Sequence, residues 1–275
     1  MKPIIFEGKN FAEAYHKALI GLNLEGILLK GCDYGVDTKE IHAILHTETP
    51  LAEPAISRLY IGGAKDLQQY EMEIMFGILD FVIGKGGTYW EYTYHDRFAH
   101  QIEFIIDELK RNPQSRRAIM NIRDFDIDTS NEHPACLQSI QYFIRNSRLD
   151  CKVMMRSNDA YRACFINGWG FIQLQQMLAN RLNVALGSYT HDSHSFHIYQ
   201  ENFEGLETMV EKRLVNANKD NYYEYKNLYK GIMRESIPEI KQMMTSQADT
   251  IFKNDIQSKI YWIDMLFDEI NTFYK

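Results

Sequence analysis

Apolar positions along this chain recur with two periods, one helical and one alternating, and together they outline the elements. Phe11 to Leu22 carries apolar residues at helical spacing. Asp66 to Val82 predicts a stronger helix, with Leu67, Tyr70, Ile74 and Ile78 on one stripe. Gly84 to Gly87 breaks the chain, and Tyr89 to Tyr94 then reads as extended. Gln101 to Arg111 is an amphipathic helix (Ile102, Ile105, Ile106, Leu109) stopped by Asn112-Pro113. Ser139 to Ile144 and Leu149 to Met155 read as a hairpin across Asn146-Ser147. In its second strand Leu149, Cys151, Val153 and Met155 alternate with Asp150 and Lys152. Phe171 to Leu182 predicts a helix with Leu174, Leu178 and Leu182 inward, ending near Asn183 and Gly187, and His194 to Tyr199 a short strand. Beyond Glu204 the pattern is almost wholly helical and rich in Lys, Glu and Tyr, with no linker. An α+β fold follows: residues 1–275 as a single domain, of which about 205–275 form a helical C-terminal extension.

Composition narrows the class. With 45% hydrophobic residues, 275 residues bury a full core in one domain. No run of about 18 apolar residues predicts a membrane span, and Met1 to Glu7 holds too few apolar residues for a signal-peptide core. The four cysteines (Cys32, Cys136, Cys151, Cys164) show no Cys-x-x-Cys spacing, which predicts a reduced, cytoplasmic protein. A net charge of −7 argues against gripping nucleic acid, while leaving room for a local basic pocket.

The chemistry is concentrated between Arg116 and Tyr199. On its own, a cysteine flanked by Ala135 and Leu137 is more often a small buried hydrophobe than a nucleophile. Cys32, Cys151 and Cys164 keep that assignment. Cys136 rises above it because it follows a proline, opens a predicted strand, and has several arginines in reach to favour a thiolate. Arg116-Arg117 lies between a helix end and an apolar strand, an edge position suited to bidentate phosphate contacts. His197 and Tyr199, two apart on a strand, share a face. His191, Asp192, His194 and His197 invite a metal, but His194 and His197 point to opposite faces and no second cluster supplies ligands, so no metal site is expected. Gly62-Gly63 and Gly86-Gly87 match no phosphate-binding fingerprint and read as turns.

Taken in order, these residues resemble the thymidylate synthase family, which includes the pyrimidine nucleotide hydroxymethylases. Pro134-Ala135-Cys136-Leu137-Gln138 is similar to the family's Pro-Cys segment. Arg156-Ser157-Asn158-Asp159, with Asn167 eleven residues after the arginine, looks like its phosphate- and base-reading segment. His197-Ile198-Tyr199 looks like its sugar-binding His-x-Tyr, and weaker similarity runs back through Tyr92-Thr93-Tyr94 and the helix at Tyr70. Leucine after the cysteine resembles the archaeal-type, hydroxymethylase-like branch, where common bacterial synthases carry histidine.

The resemblance implies a mixed sheet packed with helices, its back forming a homodimer interface. It also implies a set of roles. The Cys136 thiolate would add to C6 of a uridylate-like ring, so that C5 captures the one-carbon unit of 5,10-methylenetetrahydrofolate. Arg156 and Ser157 would hold the phosphate with Arg116 and Arg117 of the partner subunit, giving shared active sites. Asn167 would face the N3–O4 edge; an amide matches uracil, and an acid there is what cytosine-using relatives tend to show. His197 and Tyr199 would bind the sugar, Asp159 the pterin, and Tyr94 would line the wall. A glutamate on the Tyr70 helix would organise proton transfer; Glu71 and Glu73 compete, with Glu71 preferred.

Three departures bear on function. The loop Cys32 to Glu40 lacks the family's phosphate-closing arginine and carries Asp33 and Asp37, which would repel a phosphate unless turned away or paired with Lys39. Met155 replaces the usual glutamine. The family's C-terminal closing segment is not recognisable in the helical pattern of Ile256 to Phe273; without a lid, water could capture the methylene intermediate and give a hydroxymethyl product. One-carbon transfer to C5 of a pyrimidine nucleoside monophosphate, dUMP first, is therefore the expected function. Hydroxymethylation of dUMP, dCMP or CMP and a non-catalytic nucleotide-binding homologue are the alternatives.

Overall fold

A computed structural model of the chain describes residues 1–84, 91–214, 219–225 and 234–274. The expected turn at Gly86-Gly87 and the start of the extended stretch at Tyr89 lie outside these residues.

The strands are β1 (Pro3–Glu7), β2 (Ile27–Leu29), β3 (Thr38–Thr47), β4 (Ile56–Ser57), β5 (Ile119–Asn121), β6 (Leu137–Arg145), β7 (Arg148–Met155), β8 (Asn158–Asp159), β9 (Ala185–Tyr199) and β10 (Tyr222–Tyr223). The helices are α1 (Phe11–Glu25), α2 (Ala64–Phe76), α3 (Tyr94–Phe98), α4 (Ile102–Arg111), α5 (Phe125–Asp128), α6 (Cys164–Leu182), α7 (Phe203–Met209) and α8 (Arg234–Phe252). After α8, α9 (Ile256–Lys259) runs through a π-helical turn into α10 (Leu266–Phe273).

An eight-stranded mixed sheet organises the chain in the order β1-β3-β9-β7-β6-β5, with β2 on β3 and β8 on β9. β1–β3 and β7–β9 are parallel, and β3–β9, β6–β7 and β5–β6 antiparallel. The expected hairpin is present, and its turn has Asn146 at φ 49° and Ser147 at φ 57°, left-handed positions that suit the twist of the flanking strands. β9 is much longer than the predicted His194–Tyr199 segment. Its first half (Ser188, Thr190, Asp192) is polar on one face, which hides a strand buried on the other.

Helices α1 and α6 pack their apolar residues onto one sheet face, in a core that includes Tyr15, Leu19, Ile41, Leu45, Phe171 and Tyr189. On the face that α1 leaves open, Ile5, Ile44, Asp192 and Met154 form one row across four strands. Ile5 and Met154 in this row are exposed. A second apolar cluster joins α8 and α10 to Met72 on α2 and to Ile78, Leu79, Phe81 and Val82 beyond it. The helical C-terminal region thus has its own small core, seated on the helix that also borders the cleft described below. No helix among the described residues is long and apolar enough to cross a membrane.

Two expectations are corrected. The helix read as Asp66 to Val82 stops at Phe76, because Gly77 takes a left-handed φ of 64° and its N–H returns to the Glu73 carbonyl. Tyr94 does not end an extended stretch but starts α3, whose N-cap is Thr93, with its hydroxyl accepting from the Asp96 N–H.

Candidate active site

The segment leading into β6 is braced before it delivers Cys136. Asp128, fully buried, pairs with Arg97 at 3.1 Å. The Arg156 guanidinium donates through Nε to the Ala135 carbonyl (3.1 Å) and through Nη2 to that of Pro134 (2.7 Å). Its backbone N–H reaches the Cys136 carbonyl at 2.9 Å. The Tyr92 and Tyr94 hydroxyls stand beside the backbone of Cys136 and Leu137. The Arg156 cation therefore fixes the segment that carries the half-buried thiol at the mouth of β6, and three of its five guanidinium N–H donors remain beyond those two bonds. Cys151 and Cys164 differ in kind: burial pushes both thiols far up, leaving them protonated and inert.

Cys136 opens into a cleft of about 1120 Å³ counted out to its mouth. The same cleft is lined by Tyr94, Arg156, Ser157, Asp159, Asn167, His197 and Tyr199, so eight of the eleven residues expected at the site converge here. They come from distant parts of the chain: α3, the β7–β8 turn, α6 and the end of β9. Asn167 is buried on α6, where its Oδ1 accepts from the Tyr70 hydroxyl at 2.5 Å. That pairing depends on a close approach of α2 to α6. A Cβ at Gly170 would stand 2.8 Å from the Tyr70 ring, so glycine is needed at the crossing. Asp159 Oδ1 takes the backbone N–H groups of Tyr161 and Arg162, both at 2.9 Å, which holds the carboxylate at the turn into α6. His197 and Tyr199 meet edge to face with ring centres 5.1 Å apart.

Three expected residues lie elsewhere. Arg116 and Arg117 are exposed and line no part of this cleft within one chain. Glu71 points the other way from it: its Oε1 accepts from the Tyr274 hydroxyl at 2.7 Å, under the C-terminal helices. Glu73 is the glutamate that lines the cleft, with Gln69 donating to its Oε1 at 2.8 Å. The reason is helical geometry, since residues two apart sit about 200° apart around the axis. Tyr70, Glu73 and Ile74 share the cleft face at i, i+3 and i+4. An acid at the border of the Tyr70–Ile74 apolar stripe is the sequence signal that separates the two. Burial pushes both Glu71 and Glu73 up to about 7, so each exchanges its proton near neutrality.

Several lining residues carry no signal in the sequence. Tyr34, in the loop between β2 and β3, stands at the cleft with its ring 6.3 Å from that of Tyr199. Asp37 in that loop is turned back on it, accepting from the Gly31 N–H at 3.0 Å, and Lys39 lies 4.9 Å over the Phe203 ring. Glu40 is paired across the strands with His197 and accepts from the Ser195 hydroxyl at 2.5 Å. Asn158 is buried, holding His191 Nε2 on its Oδ1 at 2.9 Å. His191 is accordingly a neutral core residue, its burial lowering it to about 3.

The arrangement offers a thiol beside a cation, an amide on a buried phenol, a carboxylate that titrates near neutrality, and polar groups from three strand ends. These are the parts needed to hold a nucleotide and attack its ring covalently.

Comparison with known proteins agrees in kind. The sequence profile of the family "Thymidylate synthase" matches residues 63–233. A provisionally named thymidylate synthase of Methanocaldococcus jannaschii is 33% identical over 171 residues, covering 59% of this chain and 76% of its own length. A second, from Methanothermobacter marburgensis, is 35% identical over 124 residues, covering 43% of this chain and 56% of its own. The thymidylate synthase of Staphylococcus haemolyticus is 26% identical over 137 residues, covering 50% of this chain and 43% of its own. Among solved structures, thermostable thymidylate synthase A from Bacillus subtilis superposes with a TM-score of 0.60 at 18% identity, covering 74% of this chain and 84% of that one, a likeness of fold.

Proposed function

This chain belongs to the thymidylate synthase family, and we propose that it transfers a one-carbon unit to C5 of a pyrimidine nucleoside monophosphate, dUMP first, through a covalent adduct at Cys136. Membership makes it a transferase; substrate, adduct and cofactor are the proposal. The observation that carries it is the convergence of Cys136 and Asn167 on one cleft, with Arg156, Ser157, His197 and Tyr199 around them.

Cys136 would add to C6, and the ring's electron pair moves to C5, which becomes nucleophilic. Asn167 would match O4 with its N–H₂ and N3–H with its Oδ1, which has a second lone pair beside the Tyr70 bond. Arg156 and Ser157 would hold the phosphate, and His197 and Tyr199 the sugar. Arg116 and Arg117 would reach that phosphate only from a second copy, so the working unit would be a homodimer packed through the open sheet face.

The cleft suits 5,10-methylenetetrahydrofolate: Ile74, Leu79 and Tyr92 offer apolar and aromatic surface for a flat ring, and Asp159 offers acceptors for pterin N–H groups. When bound, that cofactor supplies the one-carbon unit and, for a methyl product, the hydride. Glu73 would take and return the protons this exchange requires, as its shift to about 7 suits.

Incubation with methylenetetrahydrofolate and, separately, dUMP, dCMP, UMP and CMP, read by mass spectrometry, tests the function. A methyl gain on dUMP with dihydrofolate formed is expected. A hydroxymethyl gain would make the chain a hydroxymethylase, and no product from any of the four would point to a binding homologue.

The two glutamates separate by experiment. Glu73→Gln is expected to lower kcat by about 10²–10³-fold with little change in nucleotide affinity. Glu71→Gln, which keeps an acceptor for Tyr274, should leave kcat within a few-fold and act on stability instead. A carboxyl raised from 4.5 to about 7 holds its proton in the folded protein after the unfolded chain has lost it. Its stabilising contribution is full below about pH 4.5 and is lost as pH rises through about 7. Glu71→Gln should therefore flatten the fall in Tm between about pH 5 and 8. The reverse outcome, kcat lost with Glu71→Gln and kept with Glu73→Gln, would exchange their roles.

A further inference from the structure

Glu40 on β3 and His197 on β9 are cross-strand partners, and Ser195 joins them. Between the pairs Ile41–Phe196 and Ala43–Ser193, β9 holds one residue more than β3. Such a bulge re-aims side chains, and here the Ser195 hydroxyl donates to Glu40 Oε2 at 2.5 Å. We infer that Glu40 is a positioning residue: through Ser195 it holds the His197 ring with its proton on Nδ1, which leaves Nε2 as an acceptor for a hydroxyl of the bound ligand.

His197 Nδ1 stands 3.2 Å from the Ser195 carbonyl oxygen and 3.5 Å from Ser195 Oγ. A carbonyl only accepts, so it favours a proton on Nδ1. The hydroxyl is the ambiguous neighbour: it can accept from Nδ1–H or donate to a bare Nδ1. Glu40 removes the ambiguity, because a carboxylate only accepts and draws the hydroxyl proton to itself. Oγ then turns a lone pair toward the ring, and both neighbours of Nδ1 are acceptors. The bond made by one imidazole nitrogen fixes the role of the other, so Nε2 is left bare. Every contact in this chain of bonds lies within one subunit and holds however a second copy packs. Glu40 lines an adjoining recess, with Ser195, and not the cleft itself; His197 lines both, so Glu40 acts through it. What Nε2 meets rests on the nucleotide reading of the cleft: there the sugar 3′-hydroxyl would donate to it. Sugars with that hydroxyl free would then be selected over those lacking it.

The test is a long-range ¹H–¹⁵N correlation spectrum of the full-length, ligand-free protein labelled at histidine, taken at about pH 8, where an ordinary imidazole is neutral. It reports the tautomer of each ring, and loss of signals in His197→Gln assigns His197. The Nδ1–H form is expected. Glu40→Ala should free the Ser195 hydroxyl to donate to Nδ1 and shift His197 toward the Nε2–H form. Ser195→Ala removes that competing donor, so the double variant should return to Nδ1–H, a rescue that a merely structural role for Glu40 would not give. Calorimetry should follow the tautomer: dUMP binds about tenfold more weakly to Glu40→Ala and recovers in the double variant, while 2′,3′-dideoxy-UMP is nearly indifferent to Glu40. An Nε2–H form in the wild type, or a tautomer unchanged by Glu40→Ala, would overturn the inference. The expected tautomers with no dUMP bound would uphold the role of Glu40 and overturn the nucleotide reading instead.

Discussion

Cys136→Ala is expected to lower turnover of dUMP by about 10⁴-fold or more while changing nucleotide affinity only a few-fold. Loss of a covalent nucleophile removes the route itself, and the residual rate is what binding and electrostatics sustain alone. The fold should tolerate the change, because Cys136 is half-buried at the start of β6 and the braces around it run to backbone groups that alanine keeps. Cys151→Ala and Cys164→Ala should act on stability instead, each thiol being fully buried in the core. Arg116→Ala should be weak for a different reason, loss of a phosphate contact to the neighbouring subunit. In a shared site, a Cys136→Ala chain still lends Arg116 and an Arg116→Ala chain still lends Cys136. A statistical mixture should regain up to about a quarter of wild-type activity, since half the dimers are mixed and one of their two sites is intact. Steady-state kinetics on the mixture, with heterodimers verified by mass, reads the result. No recovery would sink the shared site, and a Cys136→Ala enzyme at full rate would sink the nucleophile.

Asn167→Asp is expected to lower kcat/KM for dUMP by about 10²–10⁴-fold and to raise the ratio of dCMP to dUMP use. A buried site built to pair with one hydrogen-bonding edge discriminates strongly because the wrong edge leaves polar groups unpaired. Asn167 is 6% exposed, and its Oδ1 is held by the Tyr70 hydroxyl. Uracil presents a donor at N3 and an acceptor at O4. A charged aspartate would repel O4, whereas a protonated one donates to the N3 acceptor of cytosine and accepts from its amino group. Comparison of kcat/KM for both nucleotides checks this, and an unchanged ratio would remove Asn167 from base reading.

How much of this was legible in the sequence depends on the range of the interaction. The hairpin of β6 and β7 is written locally, in alternating apolar residues around Asn146-Ser147. So are α1, α4 and the inward stripe of α6. The cleft residues from Cys136 onward were legible as an ordered set, and Cys136, Asn167 and His197 do meet in space. What failed needed a third dimension. Glu71 and Glu73 look equivalent in a string, and only the contact of α2 with α6 decides which one faces the cleft. α2 ends early because Gly77 takes a left-handed turn that the apolar stripe runs past. Half of β9 was missed because polar Thr190 and Asp192 on its open face masked a strand. Glu40 lies 155 residues from Ser195, so no spacing rule on one strand could have paired them. The aspartates of the β2–β3 loop looked hostile to a phosphate, yet Asp37 is spent on its own turn at Gly31.

The most direct test of the central claim is peptide mapping by mass spectrometry after incubation with methylenetetrahydrofolate and 5-fluoro-dUMP. Completion of the transfer requires C5 to shed its hydrogen as a proton, and fluorine cannot leave as a cation, so the adduct should persist. The predicted result is a stable species containing nucleotide and folate on the peptide that carries Cys136, absent when 5-fluoro-dCMP is offered instead. No adduct from an active preparation, or an adduct on another residue, would contradict the account.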